Sequence, residues 1–405
     1  MQSYKLAELD REFGGTALAG ATVSIFTSLT EAESVWRRAV DHCACFLFQT
    51  FEWNATWRET VGRTERASEH VVHVAAEDGH TLMILPFAIV AHRRMRVLEF
   101  FGGSLTDYNA PLIDHAFARD VETGDFARLW RAVLRLLPDV DAVWLRRMPK
   151  TIDGTRNPLA ELGRMRHTDD AFGATLPASF KEFTASRSTQ FFAQIRRHRR
   201  RLEKRGAVDI SFPAESERRI EIVRALAEQK STWLRNKGYP NLFDQPATRE
   251  FYERLTTCQL QAGNILVACL RVGDQIAATL WGAIFGRRYY YLQPSYAEEW
   301  RNYSAGRILT ESVLQRCIDR GDIRVFDLSI GDESYKYTWA DHSLPLHEYL
   351  EARSLPGLVF VTYRRAWSAV RSNPRIRAWV RTLRARMRQR RHGDALHDQG
   401  GSVAA

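Results

Sequence analysis

Small residues and arginines occur together where a helix is predicted to begin, in the segment "RNYSAGRIL" of residues 301–309. The first backbone amides of a helix lack partners within it and carry the positive end of its dipole, so an anion such as a diphosphate can bind there. Small residues also begin many helices that bind nothing, so the pattern alone leaves both interpretations open. The candidate anion-binding residues are Arg301, Ser304, Ala305, Gly306 and Arg307.

The predicted strand before this helix, "RRYYYLQPSY", ends at Gln293 and Pro294 in a way that favours a groove. Proline has no N–H to donate to a neighbouring strand, so the sheet is expected to be interrupted there. An interrupted sheet beside an anion-binding helix would form a groove for an extended, phosphate-bearing cofactor. Gln293 is therefore a further candidate for cofactor binding.

The remaining elements predict an α/β fold with mixed sheets. The order helix, helix, three antiparallel strands, helix, strand occurs twice along the chain, although the two halves share negligible sequence similarity. This order predicts two tandem domains, over residues 20–150 and 179–355. Residues 151–178 are rich in Thr, Asp, Gly and Pro and are predicted to be a linker.

The composition is that of a folded, cytoplasmic protein. The chain has 405 residues, of which 45% are hydrophobic and 11% aromatic. We find neither a long apolar run that would span a membrane nor a secretory signal in the first 25 residues. The odd number of cysteines without CxxC spacing favours reduced thiols, so neither a disulfide framework nor a metal site is expected. The cysteines are Cys43, Cys45, Cys258, Cys269 and Cys317.

The positive charge is concentrated in a basic tail, residues 364–405. Eleven arginines and two aspartates give these residues +9 of the chain's net charge of +10, which leaves the body almost neutral. A solvated appendage, a segment on an anionic membrane surface and an RNA-binding segment all fit this charge. Intermittent apolar residues favour a helix that docks on a membrane or a partner, with the protein peripheral at the inner membrane face.

Residues 180–355 resemble the GCN5-related N-acetyltransferase superfamily in the order of their elements. The pyrophosphate loop of that superfamily reads Arg/Gln-x-x-Gly-x-Gly/Ala; here Arg301 and Gly306 fit it, and Ser304 replaces the first glycine. The segments "SYAEEWRNYSAGRIL" and "FDLSIGDESYKYTWA" resemble a branch linked to cellulose and exopolysaccharide biosynthesis, which is related to the Fem-type aminoacyltransferases. The resemblance implies two acetyltransferase-like domains. It also implies one binding site for acetyl-CoA or another acyl-CoA, in the second domain, because "GGSLTDYNAPL" in the first half has no such loop.

Acyl transfer from a thioester to an amine needs a proton acceptor, a donor to the carbonyl and stabilisation of the thiolate. Asp327, in an apolar strand, and Glu333 are candidate proton acceptors, and each is equally well explained as a structural carboxylate. Lys336 matches a lysine that Fem-type enzymes place at the transfer centre, which implies a charge-stabilising role. Tyr335 is a candidate hydrogen-bond donor or a packing residue.

The acceptor-binding residues are predicted in the first half. Asp107, Tyr108 and Asn109 lie in a loop after a strand, where ligand contacts are common, although a turn-forming cluster is an equal alternative. The segment "RRHRRRLEKR" at residues 196–205 would attract phosphates, but it is also typical of the solvated face of a helix.

These features predict a CoA-dependent N-acyltransferase that acts on an amino-sugar or sugar-nucleotide intermediate of surface polysaccharide biosynthesis, free or lipid-linked. No metal is expected. The alternatives are a Fem-type transferase that uses aminoacyl-tRNA and a non-catalytic accessory protein of a polysaccharide synthase. The sequence leaves the oligomeric state open.

Overall fold

A computed structural model of the chain describes residues 2–9, 13, 17–163 and 165–372. The strands of the first half are β1 (Gln2–Lys5), β2 (Thr22–Phe26), β3 (Cys43–Ala44), β4 (Ser68–Ala75), β5 (Thr81–His92), β6 (Met95–Phe100), β7 (Leu112–Asp114), β8 (Ala142–Pro149), β9 (Thr151–Ile152) and β10 (Thr155–Arg156). Its helices are α1 (Leu6–Leu9), α2 (Leu29–His42), α3 (Phe51–Glu59), α4 (Val61–Thr64), α5 (His115–Asp120) and α6 (Thr123–Leu136).

The second half contains the strands β11 (Arg166–Thr175), β12 (Val208–Ser211), β13 (Gly263–Val272), β14 (Gln275–Phe285), β15 (Arg288–Tyr296), β16 (Val325–Ile330) and β17 (His342–Ala352). Its helices are α7 (Phe180–Ala185), α8 (Thr189–Glu203), α9 (Ser216–Lys237), α10 (Pro246–Thr257), α11 (Ala305–Arg320), α12 (Lys336–Trp339) and α13 (Leu355–Ser372). The predicted order of elements in both halves is thus confirmed.

Fifteen strands form one continuous mixed sheet through both halves, in the order β1-β2-β4-β5-β6-β8-β17-β11-β16-β15-β14-β13-β12, with β7 paired to β5 and β3 paired to β7. The C-terminal strand β17 lies at the centre, antiparallel to β8 on one side and to β11 on the other. A strand from the end of the chain therefore joins the two halves through backbone hydrogen bonds.

The segment 151–178 differs from the predicted linker. Its residues 166–175 form β11, which pairs with both β16 and β17, and β9 and β10 form a separate two-stranded ribbon. Strand β11, "RHTDDAFGAT", is polar over residues 166–170. Only its later residues Ala171, Phe172 and Ala174 fill the core. A polar composition was therefore misleading as evidence for a linker.

Helix α8 forms as its sequence predicts. The Ser188 side chain accepts a hydrogen bond from the Phe191 amide at the N-terminus. Phe192, Ile195 and Leu202 are buried on one side, and the arginines at 196, 197 and 199–201 are exposed on the other. The basic segment is therefore the solvated face of an amphipathic helix.

Helix α13 follows β17 and includes the first residues of the basic tail, and residues 373–405 lie outside the described part of the chain. Across the residues that the structure describes, no helix is both long and apolar enough to cross a membrane. Within the same residues, no three His, Cys, Asp or Glu side chains are grouped so as to hold a metal ion.

Candidate functional site

The second half of the sheet opens between β15 and β16. These parallel strands pair only from Arg288 to Tyr290, opposite Val325 to Asp327, whereas β15 remains paired with β14 as far as Tyr296. From Tyr291 onward, β15 therefore has one edge free of strand partners. A register shift opposite Trp281 and Gly282 accompanies this divergence, and Pro294 lies on the free edge as the sequence predicted.

A pocket of about 430 Å³ lies in this opening. Strand β15, the first turn of α11, helix α9 and the segment after β16 all contribute to its wall. Its lining residues are Lys230, Trp233, Tyr291, Pro294, Ser295, Tyr296, Arg301, Ser304, Ala305, Gly306, Arg307, Thr310, Glu333, Tyr335 and Trp339. Five of the six predicted cofactor-binding residues thus line one pocket, together with Glu333 and Tyr335.

The start of α11 is suited to bind an anion. Ser304 has a left-handed backbone conformation, with φ 56° and ψ 35°, and its carbonyl accepts from the amides of Arg307 and Ile308. The amides of Ala305 and Gly306 donate to no backbone group in the part of the chain that the structure describes. A Cβ added at Gly306 would lie 3.6 Å from the ring of Tyr296, which lines the pocket. The free amides and two arginines therefore form a donor set that suits a diphosphate.

Lys230, which lines the same pocket, was not predicted from the sequence. Its Nζ donates to the Pro294 carbonyl at 3.0 Å, on the free edge of β15. Desolvation lowers the pKa of Lys230 to about 8, although the nearby Glu333 carboxylate favours the charged form. Lys230 lies in the polar helix α9, 64 residues from its partner, so no local pattern distinguishes it from a surface lysine.

A chain of polar contacts runs from the pocket towards the first half of the protein. Glu333 pairs with Lys336 at 3.0 Å, and Lys336 Nζ also donates to the carbonyls of Ser329 and Ile330. The Ser329 hydroxyl donates to Asp107. Burial raises the pKa of the Asp107 carboxyl, and Arg147 and the Ser329 hydroxyl oppose that shift. This chain brings residues of the two halves together beside the pocket.

Lys336 itself is buried and already has three acceptors. An ammonium group has three N–H donors, so Lys336 fixes the segment after β16 and the Glu333 carboxylate. Its charge-stabilising role at the transfer centre remains a prediction.

Tyr335 presents an available donor to the pocket. Burial raises the pKa of its phenol, with Tyr291 and Glu333 adding to the shift, so the hydroxyl stays protonated near neutral pH. This hydroxyl makes no hydrogen bond to any described residue. It can therefore donate to an oxyanion or a thiolate.

Asp327 lies outside the pocket, in a buried network that ties the halves together. It accepts hydrogen bonds from Tyr108 Oη at 2.6 Å, from Arg288 Nη1 at 2.9 Å and from the Ser329 amide at 2.7 Å. Three donors occupy its oxygens, so the geometry favours the structural alternative over proton transfer.

Asn109 and Gln293 also have internal partners. Asn109 donates to the Arg146 carbonyl at 3.0 Å, and Gln293 donates to the Tyr252 hydroxyl at 2.9 Å. Neither side chain lines the pocket. Of the other two predicted acceptor-binding residues, Asp107 accepts from the Ser329 hydroxyl and Tyr108 donates to Asp327, and Ser329 connects both to Lys336 and Glu333.

Comparison with known proteins agrees with this geometry. Residues 189–337 match the family model of the acetyltransferase (GNAT) domain. No match was found among curated proteins. Among solved structures, FemX superposes with a TM-score of 0.57 at 10% sequence identity, covering 82% of this chain and 98% of FemX. The C-terminal domain of a putative lysylphosphatidylglycerol synthetase from Agrobacterium fabrum gives a TM-score of 0.49 at 12% identity, covering 82% of this chain and 95% of that domain.

The matched residues 189–337 include β15, α9, the start of α11 and the residues Glu333 and Tyr335 after β16, which line the pocket. The likeness to FemX extends over both halves. Residues 189–337 thus match the model of an acetyltransferase (GNAT) domain, within a chain whose fold is like that of FemX.

Proposed function

We propose that this protein is a CoA-dependent N-acyltransferase, with acetyl-CoA as the simplest donor. The observation that carries the proposal is the pocket between β15 and β16, where the free amides of Ala305 and Gly306 lie beside Arg301 and Arg307. This donor set suits the diphosphate of CoA. The acetyltransferase model that matches residues 189–337 supports the same assignment.

The proposed acceptor is the amine of an amino-sugar or of a sugar-nucleotide intermediate of surface polysaccharide biosynthesis, free or lipid-linked. The segments "SYAEEWRNYSAGRIL" and "FDLSIGDESYKYTWA" resemble the branch of acyltransferases linked to cellulose and exopolysaccharide biosynthesis, and this resemblance supports this class of acceptor. We assign acceptor binding to Asp107, a carboxylate of the first half that accepts from the Ser329 hydroxyl and is connected through Ser329 and Lys336 to Glu333.

Different residues have different roles in the proposed reaction. Acyl-CoA supplies the thioester, and the amine attacks it directly, since none of the cysteines lines the pocket. Glu333 lines the pocket and takes the proton from the amine, while Lys336 holds its carboxylate in place. The Tyr335 hydroxyl donates a hydrogen bond to the sulfur, which leaves as the CoA thiolate when the C–S bond breaks. Lys230 adds positive charge close to the anionic part of the donor.

Thermal protection by acetyl-CoA tests the donor assignment. We expect saturating acetyl-CoA to raise the melting temperature, because a ligand that binds only the folded state stabilises it. In Gly306→Glu the new carboxylate would face Tyr296 across the pocket and repel the diphosphate, so protection should be lost. Gly124→Glu is the matched control, because Gly124 is exposed in α6 with open space around it. Unchanged melting of the wild type would contradict CoA binding, and equal protection of both variants would contradict binding of the diphosphate at Gly306.

Aminoacyl-tRNA is the second candidate donor, and the basic face of α8 favours it. Arg201 and Arg205 lie over the ring of Tyr303, and Arg307 of the pocket lies over Phe191 of α8. The exposed arginines of α8 are therefore continuous with the pocket and would attract an RNA backbone. RNA that co-purifies with the protein, and is lost when the arginines at 196–201 are replaced and residues 364–405 deleted, would favour this donor. If the protein bound neither CoA nor RNA, the remaining hypothesis would be a non-catalytic accessory protein of a polysaccharide synthase.

A further inference from the structure

Helix α13 is held firmly against the body on one side. Phe360 packs edge-on against Trp144 at 5.8 Å, and the Arg364 guanidinium lies 3.6 Å from the centre of the same ring. A Cβ added at Gly357 would lie 1.7 Å from the Asp141 carbonyl oxygen, so the helix backbone touches the first half directly. These contacts fix the orientation of α13 and thus the side that faces solvent.

The solvent-facing side of α13 is apolar. Leu355, Leu358, Val359, Tyr363 and Trp367 are 81%, 54%, 70%, 60% and 48% exposed. They are five of the eight large hydrophobic residues that are exposed in the described part of the chain, so the exposure is concentrated on one helix. The nine residues from Leu355 to Tyr363 contain no charged side chain. A contiguous apolar surface of this kind marks a site that something else covers.

The net charge of the residues that follow Tyr363 indicates which kind of partner covers this face. Residues 364–405 carry a net charge of +9, so an anionic partner is favoured over a neutral one. A second copy of the chain would bring an identical basic segment beside the first, which opposes self-association through this face. Tyr363 and Trp367 lie at one end of this apolar face, and their side chains suit the boundary between acyl chains and lipid headgroups.

We infer that the outward face of α13, comprising Leu355, Leu358, Val359, Tyr363 and Trp367, docks on an anionic lipid surface. The apolar side chains enter the acyl boundary of the bilayer, and the arginines that follow bind lipid phosphates. This inference stands independently of the donor and acceptor proposed above, because α13 contributes no residue to the pocket.

Flotation of the full chain with vesicles tests the inference. We expect it to float with phosphatidylcholine vesicles that contain phosphatidylglycerol, less so at high salt, and not with phosphatidylcholine alone. The double variant Leu358→Glu and Val359→Glu should reduce the bound fraction about tenfold or more, since it places two carboxylates where two apolar side chains met the lipid. Ala214→Glu with Gln259→Glu adds the same charge at exposed positions elsewhere and should bind as the wild type does.

Three results would overturn the inference. One is failure of the wild type to float with the anionic vesicles, and another is equal flotation of the α13 variant. The third is a dimer in light scattering that the α13 variant dissociates, which would assign the face to a second copy. An unchanged melting temperature of the α13 variant shows that any loss of flotation does not come from unfolding.

Discussion

At the scale of residues, burial separates the charged groups that can act in the pocket from those that hold the protein together. Asp327 and Glu333 are six residues apart and look equivalent in the sequence. Asp327 is enclosed by Tyr108, Arg288 and the Ser329 amide, whereas Glu333 faces the pocket with a half-exposed side chain. With its oxygens held by three donors, the Asp327 carboxylate serves the buried ion pair with Arg288.

At the same scale, the pKa of Lys230 predicts how the affinity for acetyl-CoA depends on pH. Its pKa of about 8 means that it loses its charge as the pH rises through 8. We therefore expect the affinity for acetyl-CoA to fall by roughly 3- to 10-fold between pH 7 and pH 9.5, on the order of one partly screened charge contact. Lys230→Arg should abolish this step because arginine stays charged, and Lys230→Met should bind weakly at both pH values. Isothermal titration calorimetry with acetyl-CoA measures the affinity of the wild type and of both variants at each pH.

Stability should change with pH in the opposite direction to affinity. The folded-state pKa of Lys230 is lowered from 10.5 to about 8, so between these values the unfolded chain binds more protons than the folded one. The contribution of Lys230 to the free energy of unfolding therefore rises from pH 8 to pH 10.5. If affinity and stability followed pH in the same direction, global unfolding rather than titration of Lys230 would explain the loss of binding.

At the scale of elements, the divergence of β15 from β16 and the start of α11 create the pocket together. Either element alone is common: a proline near the end of a strand, and a helix that begins with small residues. Their coincidence arises because the chain leaves β15 at Tyr296 and begins α11 only nine residues later, at Ala305. The helix must therefore start beside the opened edge of the sheet.

The left-handed conformation of Ser304 leads to a prediction about this helix start. Non-glycine residues are disfavoured at positive φ, and the Ser304 side chain does not cap the helix. Ser304→Gly should therefore raise the free energy of unfolding by about 0.5–1 kcal/mol. Ser329→Gly is the contrasting variant, because Ser329 also has a positive φ of 64° but donates to Asp107, so that variant should not be stabilised. Urea unfolding of both variants compares the effects, and a destabilised Ser304→Gly would contradict the strain argument.

At the scale of the whole molecule, β17 makes the two halves dependent on each other. It completes the sheet of the first half through β8 and that of the second half through β11. The Asp327 network adds buried polar contacts across the same boundary. The sheet of the first half is therefore completed by β17, a strand that belongs to the second half.

We expect the full chain to unfold in one cooperative transition, with coincident tryptophan fluorescence and far-ultraviolet circular dichroism. A chain that begins at residue 179, the predicted domain boundary, lacks β11 and exposes the edges of β16 and β17. Exposed strand edges favour aggregation, so this shortened chain should be insoluble or lack a cooperative thermal transition. A soluble product with a sharp transition would show that the second half folds independently, as its sequence suggested.

The sequence by itself determined the order of helices and strands, the Ser188 cap of α8 and the segment at residues 301–307 that lines the pocket. These follow from local patterns: apolar spacing, turn residues, and small residues beside arginines at 301–307. Only the tertiary structure decided that Asp327 is enclosed, that Lys230 faces the pocket, that β11 belongs to the sheet and that α13 exposes an apolar face. The reason is that contacts between residues far apart in the chain set burial and ionisation, and such contacts leave no periodic signal in the sequence.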